Sequence, residues 1–260
     1  MPVATLERKP VMKKRATEVL KEVFGFDEFR PGQDQAVRQL LAGDSSVAIF
    51  PTGSGKSLCY QLPALMFDGL TVVISPLIAL MKDQLDFLRS KNISAARLDS
   101  SLDRQDAVKV YDDLRNGRMQ LLYVSPERLA NERFLQLLSQ QKIALLAVDE
   151  AHCISAWGHN FRPDYLCIAA LAEQLKVERV LALTATATPE VVADIAEAFR
   201  VEPEHVVHTG FYRANLEINV SACEPQERER ILVNKLSKRR REPAVVYVTL
   251  QRTAERLAAY

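Results

Sequence analysis

Two short segments of this 260-residue chain carry residue types at spacings suited to phosphate chemistry. The first is Pro51-Thr52-Gly53-Ser54-Gly55-Lys56-Ser57, directly after the apolar run Val47–Phe50. Gly53 and Gly55 let the backbone curl so that several N–H groups converge on one phosphate. Lys56 would then reach the β- and γ-phosphates of a nucleotide, and the Ser57 hydroxyl would ligate Mg²⁺. The GxxxxGK[ST] spacing asks for glycine at position 50, where this chain has Phe50. A plain Gly-Ser loop ahead of a helix is the alternative, and the strand–loop–helix context favours the phosphate site. The second segment is Leu145-Leu146-Ala147-Val148-Asp149-Glu150-Ala151-His152. An apolar strand ending in two acids puts both carboxylates at the carboxyl edge of an open α/β sheet, where ligands bind. Asp149 would hold the Mg²⁺ shell through water, and Glu150 would orient and deprotonate an attacking water. An Asp-Glu pair after a strand also suits a simple helix N-terminus. Its occurrence after Lys56 and Ser57 favours catalysis.

These side chains need a scaffold, and the pattern from Ser46 onward supplies one. The apolar runs Val47–Phe50, Leu70–Ser75, Leu121–Val124, Ile143–Asp149 and Arg179–Thr184 predict strands. Several are unbroken, as expected of parallel strands covered on both faces. Helical stretches such as Leu77–Lys91, Asp103–Asn116 and Pro189–Ala198 alternate with them, which predicts an α/β fold with a doubly wound parallel sheet. Near Gly210 the tempo changes. A strand Leu216–Val220, a helix Glu227–Leu236, a strand Val245–Leu250 and a helical start Thr253–Tyr260 are expected there. The chain thus divides into an extension, 1–23, a main domain, 24–210, and a segment, 211–260, that reads as the incomplete start of another domain. The basic run from Lys235 to Arg241 reads as a solvated helix end rather than a nucleic-acid contact.

Composition narrows the classes. With 34 Lys and Arg against 33 Asp and Glu, the formal net charge is +1, so any nucleic-acid surface must be a local stripe. The four cysteines, Cys59, Cys153, Cys167 and Cys223, show no CxxC spacing, and His205 and His208 lack a nearby acidic or thiol partner. Free thiols suggest a reducing, intracellular compartment, cytoplasmic in a bacterium or nuclear in a eukaryote. Residues 1–15 are basic without a secretory apolar core, and no stretch has the length of a transmembrane helix, so no membrane association is expected.

Asp149-Glu150-Ala151-His152 resembles the acid box of superfamily 2 helicases, and the run from Ala151 to Pro163 resembles the aromatic-rich loop of the RecQ family. That loop senses single-stranded DNA and couples it to ATP hydrolysis. The resemblance implies a RecA-like P-loop fold, ATP and Mg²⁺ as cofactors, and Trp157, His159, Phe161 and Arg162 as DNA-sensing residues. Phe24 to Gln33 resembles the RecQ motif ahead of the phosphate loop. By it, Gln33 reads the adenine edge while Phe26 and Arg30 pack against the ring; core packing is the alternative for at least two of Phe24, Phe26 and Phe29. Ile74 to Gln84 and Leu122 to Leu129 resemble the two DNA-backbone motifs, implicating Ser75, Pro76, Lys82, Ser125 and Pro126, with helix capping as the plain alternative. Leu183-Thr184-Ala185-Thr186-Ala187 resembles the motif joining the ATP and DNA sides; its hydroxyls can reach the Asp149-Glu150 loop or cap the helix at Pro189.

The segment from Gly210 to Leu216 resembles the family's inter-domain segment, with Tyr212 and Ala214 departing from it, and Val245–Val248 would open a second RecA-like domain. The implied function is an ATP-dependent 3′–5′ DNA helicase of RecQ type, acting on single-strand and junction DNA in repair or recombination. The alternatives are a non-catalytic nucleotide- and DNA-binding module, or a translocase that does not separate strands. A DEAD-box RNA helicase would carry Asp at position 152, where this chain has His152. The family completes its ATP site with an arginine from the second motor domain, worth roughly 10³–10⁵ in rate in related machines. No segment after Val245 has room for that motif, so the chain alone is expected to hydrolyse ATP very slowly. Zinc is expected only in a C-terminal region outside this sequence, and protein partners are left open.

Overall fold

The computed structural model describes residues 15–155, 157, 162–210, 215–239 and 242–259. They fall into two compact units, Met1–Phe211 and Tyr212–Tyr260.

The first unit is built on seven parallel strands: β1 Ser46–Ile49, β2 Leu70–Ile74, β3 Ala95–Leu98, β4 Leu121–Val124, β5 Ile143–Val148, β6 Val180–Thr184 and β7 Val206–His208. Their spatial order is β3-β4-β2-β5-β6-β1-β7. The five apolar runs read from the sequence are the five interior strands. Each buries side chains on both faces, and alternate residues serve opposite cores. Val72, Ile74, Leu122, Val124, Leu146 and Val148 join one core, whereas Val73, Leu121, Tyr123, Leu145 and Ala147 join the other.

Among the described residues, seven α-helices cover these faces together with the helical turn Leu20–Phe24: α1 Gln33–Ala42, α2 Leu58–Ala64, α3 Ile78–Ser90, α4 Arg104–Arg115, α5 Glu132–Leu138, α6 Pro163–Gln174 and α7 Pro189–Ala198. The apolar sides of α1, α2 and α3 enter the second core, through Val37, Leu40, Leu62, Met81 and Leu88 among others. Those of α4 to α7 enter the first, through Leu114, Phe134, Leu138, Tyr165, Ile168 and Ile195. Each such fully buried large side chain contributes roughly 1.5–3 kcal/mol. Because every strand is parallel, all carboxyl ends open on one edge, and the connecting loops there carry most of the candidate site residues.

Phe50 accounts for the departure from the usual loop spacing. Its ring is fully buried and packs beside Gly32, which has φ 81°. A Cβ at Gly32 would stand 2.6 Å from Phe50 Cε1 and 2.5 Å from Thr209 Cγ2. Position 50 thus anchors the loop to the core while Gly53 and Gly55, at φ 82° and 79°, make the turn itself.

In the second unit, α8 Arg228–Ser237 and α9 Gln251–Ala258 form as expected, and Arg256 pairs with Glu229. The strands expected at Leu216–Val220 and Val245–Leu250 do not form; both segments are irregular and largely exposed, with Val220 and Tyr247 each 92% accessible. A strand needs a neighbour for its backbone N–H and C=O groups, and the described residues of this unit offer these runs none. Lys235, Lys238 and Arg239 are exposed at the end of α8, as a solvated basic run should be.

Candidate functional site

The phosphate loop joins β1 to α2. Its amides at Gly53, Gly55, Lys56 and Ser57 donate to no backbone carbonyl among the described residues, while Ser54 N–H closes a turn on Pro51 O at 3.1 Å. Ser54 Oγ is buried without a hydrogen-bond partner. Lys56 Nζ donates to Phe50 O at 3.2 Å, folded onto its own loop. Unclaimed amides, an orphaned hydroxyl and a cation at the head of a helix form a donor set that fits the phosphates of a nucleotide.

Arg30, ahead of α1, and Gln33, its first residue, brace this loop. Gln33 is buried; its Oε1 accepts from Arg30 N–H at 2.9 Å, and its Nε2 donates to Ser54 O at 3.0 Å and Gly55 O at 2.9 Å. Arg30 Nη1 donates to Gly53 O at 2.6 Å. Both N–H bonds of the Gln33 amide are therefore committed, and one Oε1 lone pair stays available to an exocyclic amine. A Cβ on Gly55 would lie 2.7 Å from Gln33 Nε2, so any other residue there would displace the Gln33 amide as well as strain a backbone at φ 79°. Phe26 is 45% exposed, whereas Phe24 is buried and stacks on Phe87, and Phe29 packs partly buried against the core.

The acids stand at the end of β5, separated from β1 by β6. Asp149 Oδ2 accepts from Ser75 Oγ at 3.2 Å and Oδ1 from Glu150 N–H at 3.0 Å, while Tyr165 OH donates to Asp149 O at 3.0 Å. Burial, then repulsion from Glu150, pushes the Asp149 carboxyl above its ordinary value. A buried carboxylate held by two donors and still destabilised as an anion suits a divalent cation, which would remove that penalty. With Ser57 across the loop, the oxygen donor set fits Mg²⁺. Glu150 adopts φ 51°, a left-handed conformation that costs a non-glycine residue about 1–3 kcal/mol. It heads the short 3₁₀ turn Ala151–Ile154 without a side-chain cap bond, so its carboxylate is not spent on capping.

That carboxylate instead meets His152: Glu150 Oε2 lies 3.2 Å from His152 Nδ1, which also lies 3.0 Å from Thr184 Oγ1. Thr184 Oγ1 donates to Thr186 O at 3.0 Å and accepts from Thr186 N–H at 3.2 Å. The Cys153 thiol and the Glu150 carboxylate raise the His152 pKa to about 9, so the ring is an imidazolium at neutral pH. The cap of α7 is Thr188, which accepts from Val191 N–H, leaving Thr184 to the acids.

The remaining sequence-derived positions divide by exposure. Ser75, Ser125, Pro126 and Thr184 are buried; Lys82, Trp157, Arg162 and Thr186 are exposed, and Pro76 lies between. Neither Ser-Pro turn caps its helix with a side-chain bond. His159 and Phe161 lie outside the described residues. Tyr165 and Asp194 were not singled out from sequence, since only the folded chain brings Tyr165 to Asp149 and Asp194 to Ser155. Among the described residues there is no cluster of three or more potential metal-binding side chains; His205 instead faces Asp44 at 3.6 Å. All four cysteines are free, and no described helix is long and apolar enough to cross a membrane.

The model of the DEAD/DEAH box helicase family matches residues 30–195. The ATP-dependent DNA helicase RecQ of Bacillus subtilis is 43% identical over 95% of this chain and 42% of its own length. The RecQ protein of Haemophilus influenzae is 40% identical over 96% of this chain and 40% of its own. The chain therefore spans about two fifths of these relatives. Among solved structures, the helicase MrfA superposes with a TM-score of 0.65 at 19% identity, covering 100% of this chain and 41% of that one, which speaks to the fold.

Proposed function

This chain belongs to the DEAD/DEAH box helicase family, and from that premise we propose that it is the ATP-binding half of a RecQ-type DNA helicase. In this reading, ATP hydrolysis is coupled to 3′–5′ movement along single-stranded DNA and to strand separation. The observation that carries the proposal is the continuous hydrogen-bonded path from Glu150 through His152 and Thr184 to the exposed Thr186. It joins the residue that orients the attacking water to the surface beside the DNA-sensing segment.

Lys56 leaves Phe50 O to meet the terminal phosphates of the substrate, and the amides of Gly53, Gly55, Lys56 and Ser57 line up on them. Ser57 and, through water, Asp149 would hold Mg²⁺, which would supply charge to offset that of the phosphates. Glu150 takes the proton of the attacking water, worth typically about 10²–10⁴ in rate. The His152 imidazolium fixes its carboxylate. Because one N–H is shared between Glu150 and Thr184, a shift of the 184–186 segment changes how tightly Glu150 is held. Gln33 reads the adenine amine through Oε1, with Phe26 and Arg30 at the ring. DNA contacts fall to the exposed set, Lys82, Trp157, Arg162 and Thr186 with the Pro76 turn, joined by His159 and Phe161, while the buried hydroxyls of Ser75 and Thr184 position their turns. Residues 212–260 begin the second motor domain.

The test is strand separation by the full-length protein on duplexes carrying a 3′ or a 5′ single-stranded tail. ATP-dependent separation of the 3′-tailed duplex alone is expected. ATP turnover on DNA without separation would favour the translocase, and absence of ATP turnover would sink the proposal.

A further inference from the structure

At the entrance to the aromatic segment, a hydroxyl is gripped by a carboxylate from a distant part of the chain. Ser155 Oγ donates to Asp194 Oδ2 at 2.6 Å and accepts from the backbone N–H of Trp157 at 3.1 Å. Ser155 is 2% exposed, Asp194 is half-buried and Trp157 is 80% exposed, so a partly buried clasp sits next to a projecting indole. Asp194 belongs to α7, the helix that follows Thr184 and Thr186. At the other end of the segment, Arg162 N–H donates to Cys153 O at 3.0 Å.

A serine hydroxyl has one proton and two lone pairs. A carboxylate at this distance is a charge-assisted acceptor and claims the proton. The lone pairs are thereby turned toward Trp157 N–H. Without the carboxylate the hydroxyl rotates freely, and the amide loses a fixed acceptor. We propose that Asp194 is the positioning residue for Trp157, orienting through Ser155 the indole on which an unpaired base stacks. The base-stacking half of this proposal rests on the DNA-helicase function proposed above; the orientation of Trp157 does not.

Trp157 is the only tryptophan among the 260 residues, so its fluorescence reports on this one position. The 260-residue protein would be compared with Asp194→Ala, Asp194→Asn and Ser155→Ala by circular dichroism, acrylamide quenching and titration with a single-stranded oligonucleotide. Asp194→Ala is expected to keep the wild-type dichroism, alter Trp157 quenching, and weaken the oligonucleotide response by about 2- to 30-fold, the range for residues acting through a coupled network. Asp194→Asn, whose amide oxygen still accepts, should retain most of the response, and adding Ser155→Ala to Asp194→Ala should cost nothing further. A role confined to stability would lower the melting midpoint while Trp157 quenching and titration stayed at wild-type values, and that result overturns the proposal. If Asp194→Ala does not fold, the other two variants decide: Ser155→Ala must alter quenching and Asp194→Asn must alter it less. If the wild-type protein ignores the oligonucleotide, the DNA assignment fails, and the quenching comparison still decides the clasp.

Discussion

Two turns of this molecule look alike in sequence and behave differently in the fold. Ser75-Pro76 follows β2 and Ser125-Pro126 follows β4, each a strand, a Ser-Pro pair and a helical start. Ser75 Oγ donates to Asp149, whereas Ser125 Oγ is buried without a partner. The cause is strand order. β2 lies against β5, the strand that ends in the acids, while β4 lies one place further out, between β2 and β3. A local motif specifies the turn; the neighbour across the sheet decides whether its hydroxyl serves the chemistry.

If the Ser75 turn matters because it braces the acids, the acids must carry the largest effect. Glu150→Gln keeps size and polarity but cannot accept the proton, and should lower kcat of the full-length protein by about 10²–10⁴. A smaller loss would move the catalytic centre off β5. Ser75→Ala should cost about 10- to 100-fold in activity or Mg²⁺ affinity, the usual cost of removing a group that orients a metal-site carboxylate. It also has a sign in pH. The Ser75 bond lowers the Asp149 pKa against burial, so its loss raises that pKa further, and the acid limb of the kcat/KM profile should move to higher pH. An unmoved limb would make Ser75 a packing residue like its counterpart. Ser125→Ala is the mirror experiment. It removes a buried hydroxyl that has lost water and gained nothing, so calorimetry should find the protein more stable by about 1 kcal/mol, with ATP turnover unchanged. Lost activity there would mean the two turns are functionally equivalent.

The smallest expected effect is a pH dependence on the catalytic side. His152 has a folded pKa of about 9, above its ordinary 6.5. A raised histidine stabilises fully below its unfolded value and loses that contribution as pH rises through the folded one. The wild-type melting midpoint should thus fall, relative to that of His152→Gln, between about pH 6.5 and 9. Parallel curves would remove the imidazolium from the account.

The interior of the fold was legible because β1, β2, β4, β5 and β6 are nearly pure apolar runs buried on both sides. The edge strands were not. β3 is Ala-Ala-Arg-Leu, with Arg97 turned to Asp99, and β7 has three residues, of which only Val207 is buried. Lys56, Ser57, Asp149 and Glu150 could be named as candidates from sequence because each pair is contiguous and its spacing suits a phosphate or a metal. Thr184 was seen to be within reach of the acids, and it reaches them through His152. Tyr165, Asp194 and the bracing of the loop by Gln33 were not legible, because each depends on which loop lies opposite, and parallel strands with long crossovers set that by topology rather than by local spacing.

If the phosphate loop and the acids form one ATP site, its turnover answers to DNA. ATP hydrolysis by the full-length protein with and without single-stranded DNA, beside Lys56→Ala, tests this directly. Hydrolysis that rises with DNA and disappears in Lys56→Ala, with DNA binding retained, is the predicted result. Hydrolysis indifferent to DNA, or surviving the loss of Lys56, would contradict it.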